Sequence, residues 1–598
     1  MDEERYGLGP PISIEELVII DCDSRHGRSV AHSASTETGS SDAIDAAGRR
    51  YGWPMREHVE PWWKSAVIYQ VYPRSFADSD GDGYGDLPGL IGRLDYLAWL
   101  GVDGVWLSPF YPSPNVDWGY DVSDHKDVHP DFGSLEDFDR LIAEAHRRGL
   151  RVLVDFVMNH TSDQHPWFTE SRSSTGNPKR DWYVWHGGDQ PPNNWVSVFG
   201  GPAWERDDAT GEWYYHCFAV EQPDLNWHNS EVREAMWDIM RFWADRGVDG
   251  FRLDAIATIF EAAGLPDHDA SFRHIDLVNQ RFEDGPDRFD WEELLGDQIR
   301  QPPIHALMRE LRMVVDEYDD LIIVGEDDRL EFHGNGHDEL PLVFNFPLMN
   351  EPLSPLFVKQ NQEERLPLIP DGSWPCNATG SHDAGHAAAR FTRRRDEWAR
   401  IAATLVTLLK GTAVVYQGDE IGMIDSELLE IEAHTDLLGR WYHREAISQL
   451  GLEHDIATAR AAAFSRDGCR TPMQWDSSNA GGFTTGDPWL PVHPNHKSDV
   501  SVAAQIEDPD SLLTWYRSLI ALRHARPSIA WGDQAIVRVD RSVLIFERTT
   551  PGERTVVAIN MAEAHETIDP SGAVLLSTSP DPTGDLAPFE VRVIASGT

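Results

Sequence analysis

Three short apolar runs lead into carboxylates in a fixed order along the chain: GFRLDA carries Asp254, LIIVGE ends at Glu326 and TGSHD ends at Asp383. The C-terminal ends of parallel barrel strands look like this, and a (β/α)₈ barrel places its reacting groups there. Three converging carboxylates suit the cleavage of a glycosidic bond, with a nucleophile, an acid/base and a further negative charge for an oxocarbenium-like state. The nucleophile must stay ionised. Arg252 stands two residues before Asp254 and so shares its face of a strand, where its charge would keep Asp254 ionised. The acid needs the reverse. Glu326 follows an apolar run and would lie beside Asp254, so desolvation and like charge would both hold its proton. Asp383 would steady the transition state.

A second group of oxygens lies in DSDGDGYGD at 78–86. Asp78, Asp80, Asp82 and Asp86 alternate with small residues, and the backbone carbonyl of Tyr84 would add a ligand. This concentrates hard oxygen donors as a Ca²⁺ loop does, without the glutamate at the twelfth position that an EF-hand requires. A structural Ca²⁺ on the first β–α loop is the expectation; no organic cofactor is implied.

The elements that would hold these residues alternate. VIYQVYP, GVDGVWLSP, RVLVDFVMNH, GVDGFRLDA, LIIVGED, LVFNF, ATGSHD and TAVVYQGDE read as eight strands. Helical stretches such as SLEDFDRLIAEAHRRG and SEVREAMWDIMRFWADRG separate most of them and stop at Gly. Eight β–α alternations favour a closed TIM barrel over an open doubly wound sheet. Residues 161–227, rich in Trp, Pro, Gly and Asn, are too long for a structureless loop and read as an inserted subdomain after the third strand. The barrel then occupies 55–160 and 228–515, with an acidic helical insertion at about 424–465. Short alternating strands in 516–598 indicate a C-terminal antiparallel β domain of the sandwich type. Residues 1–54 are polar and read as a disordered extension. Met55 lies just before the ordered pattern, leaving two alternatives: a start at Met55, or a translated mobile tail. Mass spectrometry of the native protein separates them.

The chain has 598 residues and a net charge of −49, with 100 acidic against 51 basic residues. Such a charge repels nucleic acid. Only six of the basic residues are lysines; dense carboxylate with scarce lysine is what a halophilic, salt-adapted surface looks like, with ions screening the self-repulsion. No apolar run approaches the ~18 residues of a membrane span. The four cysteines are scattered without a CxxC pair, which suggests a reducing cytoplasm. Oligomeric state is not readable.

From about Pro61 onward, six blocks in order resemble the α-amylase superfamily of glycoside hydrolases, in its oligo-1,6-glucosidase and α-glucosidase branch. They are DFVMNH at 155–160, QPDLNW at 222–227, GFRLDA at 250–255, the glutamate of VGED, His382–Asp383, and SRDGCRTPMQW at 465–475. The resemblance implies Asp254 as nucleophile, Glu326 as acid/base and Asp383 as transition-state stabiliser. His160 and His382 would hydrogen-bond the sugar next to the scissile bond. Asp117, Tyr120 and Arg470 would close the non-reducing end, with an Asp117–Arg470 pair gripping hydroxyls and Tyr120 as a stacking face. The acidic loop resembles the calcium loop of the branch.

Departures from that pattern border the site. Ser381 stands where the family usually has Asn, and His386 where an Arg often follows. Ala255 follows the nucleophile; in the resembling family Val there accompanies α-1,6 preference, so Ala255 tilts the expectation to α-1,4 bonds. The expected activity is a retaining exo-α-glucosidase acting on maltose, sucrose or short oligosaccharides. A transglycosylase or isomerase, such as a sucrose isomerase or trehalose synthase, shares the first half-reaction and is the alternative.

Overall fold

The computed structural model describes residues 60–283, 288–427, 430–568 and 572–596, with short strands at 43–44 and 50–51. Those two strands, Ala43–Ile44 and Arg50–Tyr51, pair antiparallel; the rest of the expected N-terminal extension, and Met55, lie outside the described residues. Eight parallel strands close a barrel: β1 (Val67–Val71), β2 (Gly104–Leu107), β3 (Arg151–Val157), β4 (Gly250–Asp254), β5 (Ile322–Gly325), β6 (Leu342–Phe344), β7 (Trp374–Ala378) and β8 (Thr412–Tyr416), with β8 pairing back onto β1.

The barrel strands are apolar on both faces because both are covered. Ile68, Trp106, Leu153, Val324, Phe344 and Val414 pack together inside. Val67, Val105, Val154, Phe251, Ile323 and Val415 join the larger core under the helices. Arg252 lies between Phe251 and Leu253, so it faces inward with the period-two alternation. The helix Leu135–Arg147 starts at a capping box, Ser134 with Asp137, and Ser230–Asp245 starts at Asn229, whose side chain accepts from the Glu231 amide. The strand expected at ATGSHD begins earlier, at Trp374. β7 ends at Ala378, and Asp383 sits on a turn beyond it. Pro375 and Gly380 disguised the boundary, since neither residue is a strand former.

Two insertions rise over the C-terminal face. Between β3 and the helix Ser230–Asp245 lies a three-stranded antiparallel sheet of Trp185–His186, Trp213–Tyr215 and Trp204–Arg206. Beyond β8 lie the helices Leu437–Leu450 and His454–Phe464. They share one core: Trp195, Phe199, Trp204 and Phe218 pack with Leu438, Trp441, Tyr442 and Phe464. Gly200 permits this, because a Cβ there would lie 1.8 Å from the Trp441 indole nitrogen.

The C-terminal β domain is a five-stranded antiparallel sheet: β9 (Asp533–Val539), β10 (Val543–Thr550), β11 (Glu553–Asn560), β12 (Ala573–Ser577) and β13 (Val591–Ser596), in the order β9-β10-β11-β13-β12. One face carries Leu544, Phe546, Val557, Ile559 and Val593 into the barrel's helical core. A small cluster of Val543, Ile545, Val556, Leu586 and Ile594 covers the other.

Candidate active site

Register brings the reacting groups together. In the parallel ladders Asp155 of β3 and Val324 of β5 are the Cα partners of Arg252, and Gly325 is the partner of Leu253. Asp254 closes β4, and Glu326 follows β5 with its amide donating to the Leu253 carbonyl at 3.0 Å. One guanidinium therefore meets three carboxyls. Arg252 Nη1 lies 2.7 Å from Asp155 Oδ1 and 2.6 Å from Asp254 Oδ1, while Nη2 lies 2.5 Å from Glu326 Oε1. All four side chains are buried.

Ala255 takes a left-handed conformation, φ 46° and ψ 40°, which costs a non-glycine residue roughly 1–2 kcal/mol. It aims the Ala255 amide at Glu326 Oε2, 2.6 Å away. A strained residue directly after the candidate nucleophile thus orients the candidate acid/base.

Arg252 was expected to keep Asp254 ionised, and here the balance differs. Burial first and the Glu326 charge second push Asp254 well above the usual carboxylate range, against the pull of Arg252. The reason is that one cation is shared among three carboxyls. Burial likewise raises Asp155 to about 6 despite Arg252. Asp383 goes the other way: burial would raise it, but His382, Arg470, Arg466 and Arg252 override this and hold it well below the usual range. Its Oδ1 lies 2.6 Å from Arg470 Nη2, and its Oδ2 lies 3.1 Å from His382 Nε2.

The two histidines are neutral, because burial depresses each to about 3. Gln70 Nε2 lies 2.7 Å from His382 Nδ1, which leaves the proton on Nε2, facing Asp383 and the Tyr120 hydroxyl at 2.6 Å. The Tyr120 ring stacks on His382 with centroids 5.7 Å apart, so one of its faces is taken by the protein. His160 Nε2 lies 3.3 Å from the Tyr120 carbonyl and 3.0 Å from Gln222 Nε2.

The expected Asp117–Arg470 pair is not formed. Asp117 Oδ1 pairs with Arg466 Nη2 at 2.8 Å, and Arg470 goes to Asp383. The short 3₁₀ turn Arg466–Gly468 lies between these arginines and separates their targets, and Asp436 holds Arg466 Nη2 at 2.5 Å from the other side. Asp117 itself is placed by Asp121, whose carboxylate accepts from the Val116 and Asp117 amides at 2.9 and 3.0 Å.

Asp117, Tyr120, His160, Phe218, Asp254, Ala255, Glu326 and Asp383 line one narrow pocket with about 20 Å³ of free space, well below the roughly 300–1,000 Å³ of sites that enclose a small ligand. All three expected carboxylates reach it; Arg252, His382 and Arg470 stand behind the lining. A larger cleft of about 530 Å³ between the inserted subdomain and the loop after β4 shares no lining residue with it. We place the chemistry in the smaller pocket, where the carboxylates converge.

Ser381 and His386 do not line the pocket either; both are buried behind it. Sequence reading also passed over Asp155, Arg466, Phe218 and Gln222. Asp155 left a signal, the one carboxylate within the strand RVLVDFV, and Arg466 is the first of two arginines in SRDGCR. Nothing in the sequence singles out Phe218.

In the acidic loop, ligand oxygens of Asp78, Asp80 and Asp86 lie within 4.8 Å of one another. Asp82 falls outside that group, and its Oδ1 accepts from the Tyr84 amide at 2.8 Å. The donors are hard oxygens and fit a cation such as Ca²⁺. Asp86 also caps the helix Leu87–Leu100. Among the described residues Cys217, Cys376 and Cys469 are free and buried, and no helix is long and apolar enough to cross a membrane.

Compared with known proteins, residues 70–532 match the family model "Alpha amylase, catalytic domain". An oligo-1,6-glucosidase of Parageobacillus thermoglucosidasius is 39% identical over 526 residues, covering 84% of this chain and 91% of that one. A probable alpha-glucosidase of Rhizobium meliloti is 41% identical over 523 residues, covering 85% and 91%. Among solved structures, the trehalulose synthase MutB of Pseudomonas mesoacidophila superposes with a TM-score of 0.81 at 34% identity, covering 90% of this chain and all of that one.

Proposed function

The chain belongs to the alpha-amylase family of glycoside hydrolases, and from that membership we propose that it is a retaining exo-α-glucosidase. It would release terminal α-linked glucose from maltose, sucrose or short oligosaccharides. The observation that carries this reading is the sharing of one guanidinium by Asp254 and Glu326 at the base of a small pocket. Retaining chemistry needs the two carboxyls roughly 5–5.5 Å apart with no water between them.

In the first step the Asp254 carboxylate attacks the anomeric carbon while Glu326 gives its proton to the departing oxygen. The glycosidic bond breaks and a glucosyl ester forms. Asp383, held ionised by its cations, faces the positive charge that develops on the sugar. Water then attacks the same carbon, Glu326 takes its proton, and glucose leaves with its anomeric configuration kept. The pair must start with one proton, on Glu326. Burial and the Glu326 charge raise Asp254 well above the usual carboxylate range, and Arg252, in contact with both carboxyls, opposes that shift.

His160 and His382 are neutral and so offer hydrogen bonds without bringing charge. The Asp117–Arg466 pair would close the far end of the pocket and make the enzyme exo-acting. Ala255 leaves more room beside the nucleophile than a β-branched residue would, which supports α-1,4 preference. Asp78, Asp80 and Asp86 would hold a structural Ca²⁺, and the buried free thiols suit a reducing cytoplasm.

Two other outcomes have specific support. The glucosidase of Parageobacillus is named for α-1,6 bonds, and the MutB protein is named a trehalulose synthase. Both share the first half-reaction. Incubation with maltose, isomaltose and sucrose, with sugar products and their anomers followed by NMR, separates the readings. Faster maltose cleavage with α-glucose released supports the proposal. Faster isomaltose cleavage overturns the linkage preference, and rearranged disaccharides from sucrose overturn hydrolysis.

A further inference from the structure

The turn bearing Asp383 is closed on itself. Ser381 and Gly385 exchange both backbone hydrogen bonds at 3.1 Å, and the Ser381 hydroxyl accepts from the Asp383 and Ala384 amides at 3.2 and 3.0 Å. The serine shapes the turn from inside. What fixes the turn to the barrel is the residue after it.

His386 is 1% exposed. Its amide donates to Asp425 Oδ1 at 2.9 Å, and the Ala387 amide donates to Asp419 Oδ1 at 3.0 Å. The His386 Nδ1 lies 3.3 Å from that same Asp419 oxygen. A carboxylate oxygen only accepts, so Nδ1 carries the proton. The imidazole stacks on Tyr416, the last residue of β8, with centroids 5.0 Å apart. Tyr416 in turn donates to the Cys469 carbonyl at 2.8 Å, and the next residue is Arg470, which holds Asp383. The path from Asp383 through its turn to His386, across Tyr416 to Arg470 and back to Asp383 is a closed circuit.

We propose that His386 is a positioning residue for Asp383, setting the height and angle of the Ser381–Gly385 turn through its bond to Asp419 and its stack on Tyr416. The proposal rests on the reading of Asp383 as the transition-state stabiliser. Asp383 acts as charge develops on the sugar, so misplacing it removes stabilisation that exists only in the transition state. The loss therefore falls on kcat and spares KM.

The test uses His386→Phe, which keeps a ring for Tyr416 and removes the donor. His386→Phe combined with Asp419→Asn avoids a buried carboxylate that has lost its imidazole donor and keeps the Ala387 amide, and is read instead if the single variant does not fold. His386→Asn restores a donor where Nδ1 stood. With an aryl α-glucoside, the Phe proteins should lose about 10–100-fold in kcat with KM within about threefold, and the Asn protein should recover about tenfold. Wild-type kcat in a folded Phe protein, an equal loss in KM, or an Asn protein no better than the Phe protein overturns the proposal. A crystal structure of the double variant needs no substrate. A displaced Asp383–Arg470 contact supports the proposal, and an unchanged contact at 2.6 Å overturns it. Wild-type inactivity on every α-glucoside would count against the functional reading alone.

Discussion

Arg252 Nη2 lies 2.5 Å from Glu326 Oε1, on the guanidinium whose Nη1 already holds Asp254 and Asp155. Arg252 is thus the hub of the site, which is more than a partner for the nucleophile. It balances three buried carboxyls, and removing any one of them changes the charge felt by the other two.

Asp254→Asn should accordingly abolish turnover without unfolding the protein. Losing a nucleophile costs at least about 10³-fold in kcat by analogy with other covalent enzymes. Stability should hold or rise, because burial and Glu326 already penalise the ionised form of Asp254 and the amide removes that repulsion. Calorimetry beside a steady-state assay checks both; retained activity would refute the nucleophile role.

Arg466 and Arg470 should separate by phenotype. Arg466→Ala leaves Asp117 and Asp436 buried with their shared cation gone, and breaking such a pair typically costs about 3–5 kcal/mol. Arg470→Ala leaves Asp383 with His382 and with Arg466 at 3.5 Å, so the loss should fall more on kcat than on denaturant midpoint. If Arg470→Ala proves the more destabilising of the two, the division of labour drawn from the pairing is wrong.

The barrel and its three carboxylates were legible because strand parity and strand ends follow local rules, and GFRLDA places Arg252 and Asp254 on one face whatever surrounds them. The pairing of Asp117 was not legible. Arg466 and Arg470 lie four residues apart in the same motif, and only the 3₁₀ turn between them and the position of Asp436 decide which one Asp117 meets. Ser381 and His386 looked like pocket residues in the sequence because they flank Asp383. Ser381 closes a turn with Gly385 and His386 follows just after it, and both side chains are buried outside the pocket lining. The direction of the Asp254 shift was not legible for a related reason: it depends on how many carboxyls share Arg252, a count set by three separate strands.

Glu261, on the loop after β4, offers a pH test away from the catalytic residues. Burial pushes it up to about 8, and its Oε1 is covered and lacks a hydrogen-bond partner. Its folded pKa exceeds the unfolded value of about 4.3, so the folded state keeps a proton that the unfolded chain has lost. Stability then falls as pH rises from about 4.3 towards 8 and levels off above. Asp224, raised by burial and by Glu261, adds to this. Glu261→Gln should melt with the wild type near pH 4 and increasingly above it as the pH approaches 8. Parallel melting curves across that range would rule the account out.

The acidic loop should respond to chelation. Asp78 accepts the amides of Asp80, Gly81 and Gly83 at 2.9, 2.7 and 2.9 Å and bonds the Thr484 hydroxyl, so a cation there would tie the first β–α loop to the loop after SRDGCRTPMQW. A ligand that binds only the folded state raises its melting temperature. EDTA should lower it and added Ca²⁺ should restore it, with kcat of the surviving enzyme unchanged. A melting temperature indifferent to both would remove Ca²⁺ from the loop.

The net charge of −49 yields the last expectation. Screening shortens from about 10 Å at 0.1 M salt to about 3 Å at 1 M, so repulsion among surface carboxylates should fade over that range. Buried pairs such as Arg252–Asp155 and Arg466–Asp436, both almost fully enclosed, are screened far less and should keep the pocket intact. Melting temperature and activity should therefore both rise from 0.1 to 2 M KCl, and NaCl should match KCl because screening depends on ionic strength alone. A flat profile would mean that the acidic surface is not an adaptation to salt, whereas a rise with one cation only would point to specific binding in place of screening.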